Sequence, residues 1–238
     1  MTEFTFVTYN IDSREYNFEE RINTFFKLIK NTLPDVIAIQ EGSRLTYEKL
    51  LREMGLLGYK RHLLDIMHHR STGEMIFSKL PMEINYISFQ RGNENRGLSV
   101  AKIDLWGKEV WICTAQLDSN VALRRCQIAS FPSLLKYIDS NKNIIFGGDT
   151  RLFEYQTDQQ LPPGWHDAWY EAGNNSSKYT VNSDCNLLVA PPNKDRPDQV
   201  WYRPSVDGAI ECIDCKLYGE NSEIIISSHY GVWTKFKL

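Results

Sequence analysis

Short apolar runs that end on a polar residue organise most of this chain. Residues 4–9 form a β-rich run closing on Asn10, and residues 36–39 form another closing on Gln40 and Glu41. Between them, Asn17 and Glu20 stand at capping-box spacing. Phe18, Ile22, Phe25, Phe26, Ile29 and Leu33 then recur with helical period along one face, and Pro34 stops that helix. A second helix is expected over 47–54, and strands over 75–77, 82–89, 98–105 and 109–114, with Trp106-Gly107-Lys108 as a hairpin turn. A helix over 121–138 is expected to end or kink at Pro132. A strand over 143–146 runs into Gly147-Gly148-Asp149. Residues 153–197, rich in Gly, Pro, Asn and Ser, read as a long irregular excursion with a short helix near 165–171. Strands return at 199–202, 209–218, 223–226 and 232–236. Strand-rich halves with interspersed helices suit two packed sheets flanked by helices.

Composition narrows the class. A chain of 238 residues, 42% of them hydrophobic, can bury a substantial core as one domain over 1–238. A net charge of -3 is not that of a general nucleic-acid coater, so a nucleic-acid partner requires locally gathered basic residues. No apolar run is long enough to span a membrane, and the acidic start lacks signal-peptide features, which predicts an intracellular protein, cytoplasmic or nuclear. Five cysteines without a secretory signal argue against a disulfide framework, and Cys212-x-x-Cys215 reads as ordinary strand cysteines.

The polar residues that end the apolar runs are more specific as a set than singly. Asn10, Glu41, Gln116, Asp149 and His229 each follow such a run, so aligned strands would gather them on one rim. Amides, two acids and a histidine suit a hard cation with oxygen ligands and a phosphate to be cleaved.

In order along the chain, Thr8-Tyr9-Asn10-Ile11-Asp12, Asp35-Val36-Ile37-Ala38-Ile39-Gln40-Glu41, Gly73-Glu74-Met75-Ile76-Phe77-Ser78-Lys79, Gly148-Asp149-Thr150, Arg196-Pro197-Asp198 and Ser227-Ser228-His229 resemble the motifs of the endonuclease/exonuclease/phosphatase superfamily. Asn10-Ile11-Asp12, Thr114-Ala115-Gln116-Leu117, Gly148-Asp149-Thr150-Arg151 and the stretch from Tyr179-Thr180 to Asn186-Leu187 are similar to its 5′-tyrosyl-DNA phosphodiesterase branch. The resemblance implies an α/β fold, a four-layer sandwich of two packed mixed β-sheets between helices. It implies Mg²⁺ or Mn²⁺ on Glu41 with Asn10, Asp149 positioning or deprotonating a water, and His229 on the phosphate, oriented by Asp198. It also implies nucleic acid or a 5′-phosphotyrosyl DNA adduct as partner, a DNA repair chemistry, and no membrane.

Three positions depart from the family pattern: Gln116 replaces a histidine, Arg151 an asparagine and Ser228 an aspartate. The last two make the rim two charge units more positive, which equals the charge of one Mg²⁺. Arg151 can hold a phosphate bidentately and would repel a divalent cation, so metal binding is expected to be weakened. Gln116, Arg151, Ser228 and Arg196 are accordingly expected to contact substrate. The alternative to an attenuated phosphodiester hydrolase is a pseudoenzyme that binds a phosphate-bearing ligand or a protein partner. Tyr155, Trp165, Trp169 and Tyr170 could stack a base or a tyrosyl group, although packing is the better reading for the tryptophans. Arg124 and Arg125 divide evenly between a nucleic-acid backbone and a solvated helix face. His62, His68, His69 and His166 read as exposed loop histidines.

Overall fold

A computed structural model describes residues 2–62, 71–90, 96–138, 141–153, 161–173, 177–206 and 210–238. His68, His69 and Tyr155 lie outside them. The elements run β1 (Glu3–Asn10), α1 (Phe18–Thr32), β2 (Val36–Ser43), α2 (Arg44–Leu56), β3 (Lys60–His62), β4 (Thr72–Ser78), β5 (Met82–Ser88), β6 (Gly97–Leu105) and β7 (Lys108–Thr114). They continue α3 (Val121–Leu134), β8 (Asn143–Asp149), β9 (His166–Asp167), α4 (Ala168–Ala172), β10 (Val181–Asn182), β11 (Lys194–Asp195), β12 (Asp198–Arg203), β13 (Glu211–Tyr218) and β14 (Gly231–Lys237).

Two six-stranded mixed sheets result, ordered β13-β14-β1-β2-β4-β3 and β5-β6-β7-β8-β12-β9. Alternation along the strands builds the layers. Phe4, Phe6, Val36 and Ala38 point between the sheets, against Ile112, Ile145 and Val200. Their neighbours Val7, Tyr9, Ile37 and Ile39 point the other way, under Ile22, Phe25 and Ile29 of α1 and Leu50 and Met54 of α2. In the second sheet Cys113, Ile144 and Phe146 pack under Ile128 and Phe131 of α3, with Trp165 and Trp201. Strands buried on both faces read as unbroken apolar runs, which is why they were legible. The outcome is the expected four-layer α/β sandwich.

Each sheet contains one parallel pair closed by a helical crossover: β1–β2 through α1, and β7–β8 through α3. The carboxyl ends of these four strands meet on one rim, because Gly147 lets the sheets approach closely. A Cβ there would lie 2.4 Å from Cε1 of Phe6.

Several local expectations change. Asn17 makes no side-chain cap, because it sits at φ 46° in the left-handed region. Leu33 lies beyond the helical face, as the left-handed C-cap residue. α2 begins earlier than expected, capped by a reciprocal Ser43–Thr46 box. α3 passes Pro132 but ends two residues later at Leu134. Residues 223–226 form no strand. The Ile226 carbonyl instead accepts from Arg21 Nε and that of Ser227 from Asn186 Nδ2. A bulge between Cys212 and Asp214 turns both Cys212 and Cys215 into the core, where burial pushes both thiols up. Among the described residues no helix is long and apolar enough to cross a membrane.

Candidate active site

β1 delivers Asn10, β2 delivers Glu41 at a bulge, the chain leaving β7 delivers Gln116, and β8 ends on Asp149. The Gln116–Asp149 bridge extends the parallel register of the second sheet. The two buried amides lie between the two carboxylates. Asn10 Nδ2 donates to Glu41 Oε1 at 3.2 Å and to Asp149 Oδ2 at 3.1 Å. Gln116 Nε2 donates to the same oxygens at 2.7 and 3.0 Å. Both amide orientations are set from behind, since Asn10 Oδ1 accepts from the Asp12 N–H and Gln116 Oε1 from Arg96. Burial alone would raise the Glu41 carboxyl, but hydrogen bonds from Gln116, Ser13 and Asn10 hold it below its ordinary value. Asp149 is likewise held low, its burial outweighed by the charges of His229 and Arg151 and by hydrogen bonds.

On the opposite side, His229 Nδ1 meets Asp198 Oδ2 at 2.7 Å, and Thr180 donates to the same oxygen at 2.6 Å. Burial would lower the imidazole pKa, but Asp198, then Asp149 and Glu41, lift it to about 9. His229 is therefore cationic at neutral pH, with Nε2 left as a second donor. Asp149, Asp198 and His229 form a cluster whose ligand-type atoms lie within 4.8 Å of one another. These residues open into a pocket of about 400 Å³ whose wall includes Glu41, Asp149, Arg151, His229, Ser228 and Arg14. Leu152, Val181, Leu188 and Val189 give it an apolar side. Asp12, Glu41 and Arg151 around it all adopt positive φ. Backbone strain of this kind gathers at functional sites.

The strand-end residues thus meet as expected, as do Asp198 and His229, but the expected substrate contact of Arg196 differs. Arg196 does not reach the pocket: its guanidinium is buried and bidentate to Asp167, at 3.1 and 2.7 Å, with Tyr170 over its face. Asp198 pairs with His229, as the resemblance implies. Gln116 is buried and grips the two acids, and Ser228 donates to Asp12, which also holds Arg14. Arg124 is buried on the carbonyls of Asp118 and Ser119, which is neither of its expected places. Trp165 and Trp169 pack in the core. Ser13, Arg14, Arg96 and Glu74 were missed as site residues. Ser13 continues the Asn10-Ile11-Asp12 turn, a usable signal, whereas Arg96 reaches Gln116 only through the tertiary fold.

Glu41 and Asn10 do not fit a divalent cation in this arrangement. Glu41 Oε1 already accepts from Asn10 and Gln116, and Oε2 from the Ser13 N–H and hydroxyl. That uses the acceptor capacity of a carboxylate. Asn10 turns its donor, not its oxygen, toward the acids.

The fold is that of endonuclease/exonuclease/phosphatase structures, and the likeness in fold extends to TDP2. The structure of D. rerio TDP2 complexed with single strand DNA product matches with TM-score 0.87 over 100% of both chains at 20% identity. Truncated Caenorhabditis elegans TDP2 matches with TM-score 0.81 at 21% identity, over 99% of this chain and 98% of that one. An endonuclease/exonuclease/phosphatase from Bacteroides vulgatus matches with TM-score 0.81 at 16% identity over 100% of both chains. No family model matches the chain. No curated protein matches it either.

Proposed function

We propose that this chain hydrolyses a phosphodiester at the end of a single-stranded nucleic acid, with a 5′-phosphotyrosyl DNA adduct as the substrate class. The observation that carries the reading is one pocket holding an ionised carboxylate, Asp149, opposite a cationic His229, with Arg151 beside them. Among the described residues Asp149 Oδ1 accepts only the Arg151 N–H, so it has capacity to orient a water toward phosphorus. Held below its ordinary pKa, Asp149 positions the water more than it removes a proton. His229 donates from Nε2 to a phosphoryl oxygen, and its partner Asp198 keeps the proton in place as charge builds. Leu152, Leu188 and the half-exposed ring of Phe153 offer an apolar face to the leaving group. No step in this mechanism runs through a divalent cation, although the resemblance implies Mg²⁺ or Mn²⁺.

Support for the nucleic-acid class comes from the superfamily motifs and from the likeness to TDP2, one structure of which holds single strand DNA product. Binding without turnover is a second reading, favoured by the hydrogen bonds that already occupy Glu41 and Asp149. A substrate panel tests the proposal: 5′-phosphotyrosyl single-stranded DNA, the same end on a duplex, an abasic duplex and a phosphoinositide. Release from the single-stranded adduct, lost in His229→Ala, is the expected outcome. Preference for the abasic duplex or phosphoinositide would refute the substrate class.

A further inference from the structure

We infer that the positive charge facing the substrate phosphate is a fixed arginine, Arg151, and that phosphate engagement in this pocket requires no divalent cation. This rests on the phosphate-site reading above and deepens it. Each Glu41 oxygen accepts two protein donors, and the amides of Asn10 and Gln116 direct N–H groups, not oxygens, at the acids. A cation entering there would have to break these bonds. Arg151 stands on the same wall as Glu41, Asp149 and His229. Its Nε lies 3.6 Å from Asp149 Oδ2, too far for a hydrogen bond. Among the described residues, its guanidinium makes no hydrogen bond at all, so the planar fork is available for two phosphoryl oxygens. Its backbone is held at φ 51°, a conformation unfavourable for a residue with a Cβ and kept here where the side chain enters the pocket. Arg14 supplies a second cation to the same wall, tied to Asp12 through Nε at 2.8 Å. A divalent ion placed among these groups would meet repulsion that the family's asparagine at this position does not exert.

The test is anisotropy of a 5′-phosphorylated single-stranded oligonucleotide with wild type, Arg151→Asn and Arg151→Lys, each in EDTA and in Mg²⁺. Wild-type affinity is expected to agree within about twofold between the two conditions. Arg151→Asn should lose about 10- to 100-fold in EDTA, the scale of a lost hydrogen-bonded charge contact, and regain part of it with Mg²⁺. Arg151→Lys should fall between, since a lysine keeps the charge but not the fork. Titration calorimetry of Mg²⁺ alone should show saturable heat with Arg151→Asn and none with wild type. Thermal unfolding verifies that the asparagine variant folds, as its left-handed preference favours. Wild-type binding that collapses in EDTA, or saturable Mg²⁺ binding to wild type, overturns the inference, as does an Arg151→Asn variant that binds normally in EDTA. Metal-independent binding with no cleavage would leave it standing while removing the hydrolase reading.

Discussion

Asn10 and Gln116 enter from different sheets, yet their amides donate to the same two oxygens, Glu41 Oε1 and Asp149 Oδ2. Two carboxylates so close would repel, and one would take up a proton, if these donors were absent. The pairing also joins the sheets where the pocket opens.

Replacing Gln116 with alanine therefore removes a bridge and the side-chain acceptor of Arg96 Nη1, leaving it the Gln116 carbonyl. The expected cost is about 1–3 kcal/mol in urea unfolding, together with a raised pKa for one of the acids. Gln116→Glu places a third carboxylate in the cluster, and its stability should rise as pH falls. A pH-independent stability for that variant would contradict the account.

His229 sets the alkaline limit. Its folded pKa is raised from 6.5 to about 9, so its contribution to stability is complete below 6.5 and is lost as pH rises through about 9. Hydrolysis should decline over the same upper range. In Asp198→Asn the principal attraction is removed, and the alkaline limb should move toward 6.5. Imidazole NMR titration alongside the rate profile separates this effect from simple loss of fold.

Gly148 has a packing role beside the site. A Cβ on it would lie 2.2 Å from the Ala115 carbonyl oxygen, one residue before Gln116. Gly148→Ala is expected to destabilise by about 1–3 kcal/mol, as overpacking does, and to displace Gln116. Activity should fall further than stability alone explains, read by comparing kcat with the fraction folded.

The Arg196–Asp167 pair predicts a stability effect without a site contact. Both side chains are almost fully buried, and Asp167 also caps α4 by accepting from the Trp169 N–H. Asp167→Ala should cost about 3–5 kcal/mol by leaving a buried arginine unpaired. Asp167→Leu with Arg196→Met should recover much of it. Equal destabilisation by the single and double variants in urea would argue against an uncompensated charge.

The parts of this architecture legible in the sequence are those set by burial on both faces. The runs ending at Asn10, Glu41 and Asp149 are unbroken apolar segments because helices cover one side and the opposite sheet the other. Their polar ends could be read as a rim for the same reason. The apolar run 224–226 reads the same way, but its last carbonyl accepts from Arg21 and that of the next residue, Ser227, from Asn186, both distant in sequence. The β10–β11 ribbon is two residues on each side, too short for any alternation to register. Arg196 illustrates the limit best: its motif position suggested substrate, while its partner Asp167 lies in the irregular stretch where no spacing rule connects them.

Hydrolysis of a 5′-phosphotyrosyl single-stranded oligonucleotide by wild type and Asp149→Asn tests the central claim most directly. The account predicts release of tyrosine by wild type and a loss of about 100-fold or more in the variant, with oligonucleotide binding retained. Oligonucleotide binding by both proteins with no release by either, with or without Mg²⁺, would contradict it and leave a phosphate-binding protein without turnover.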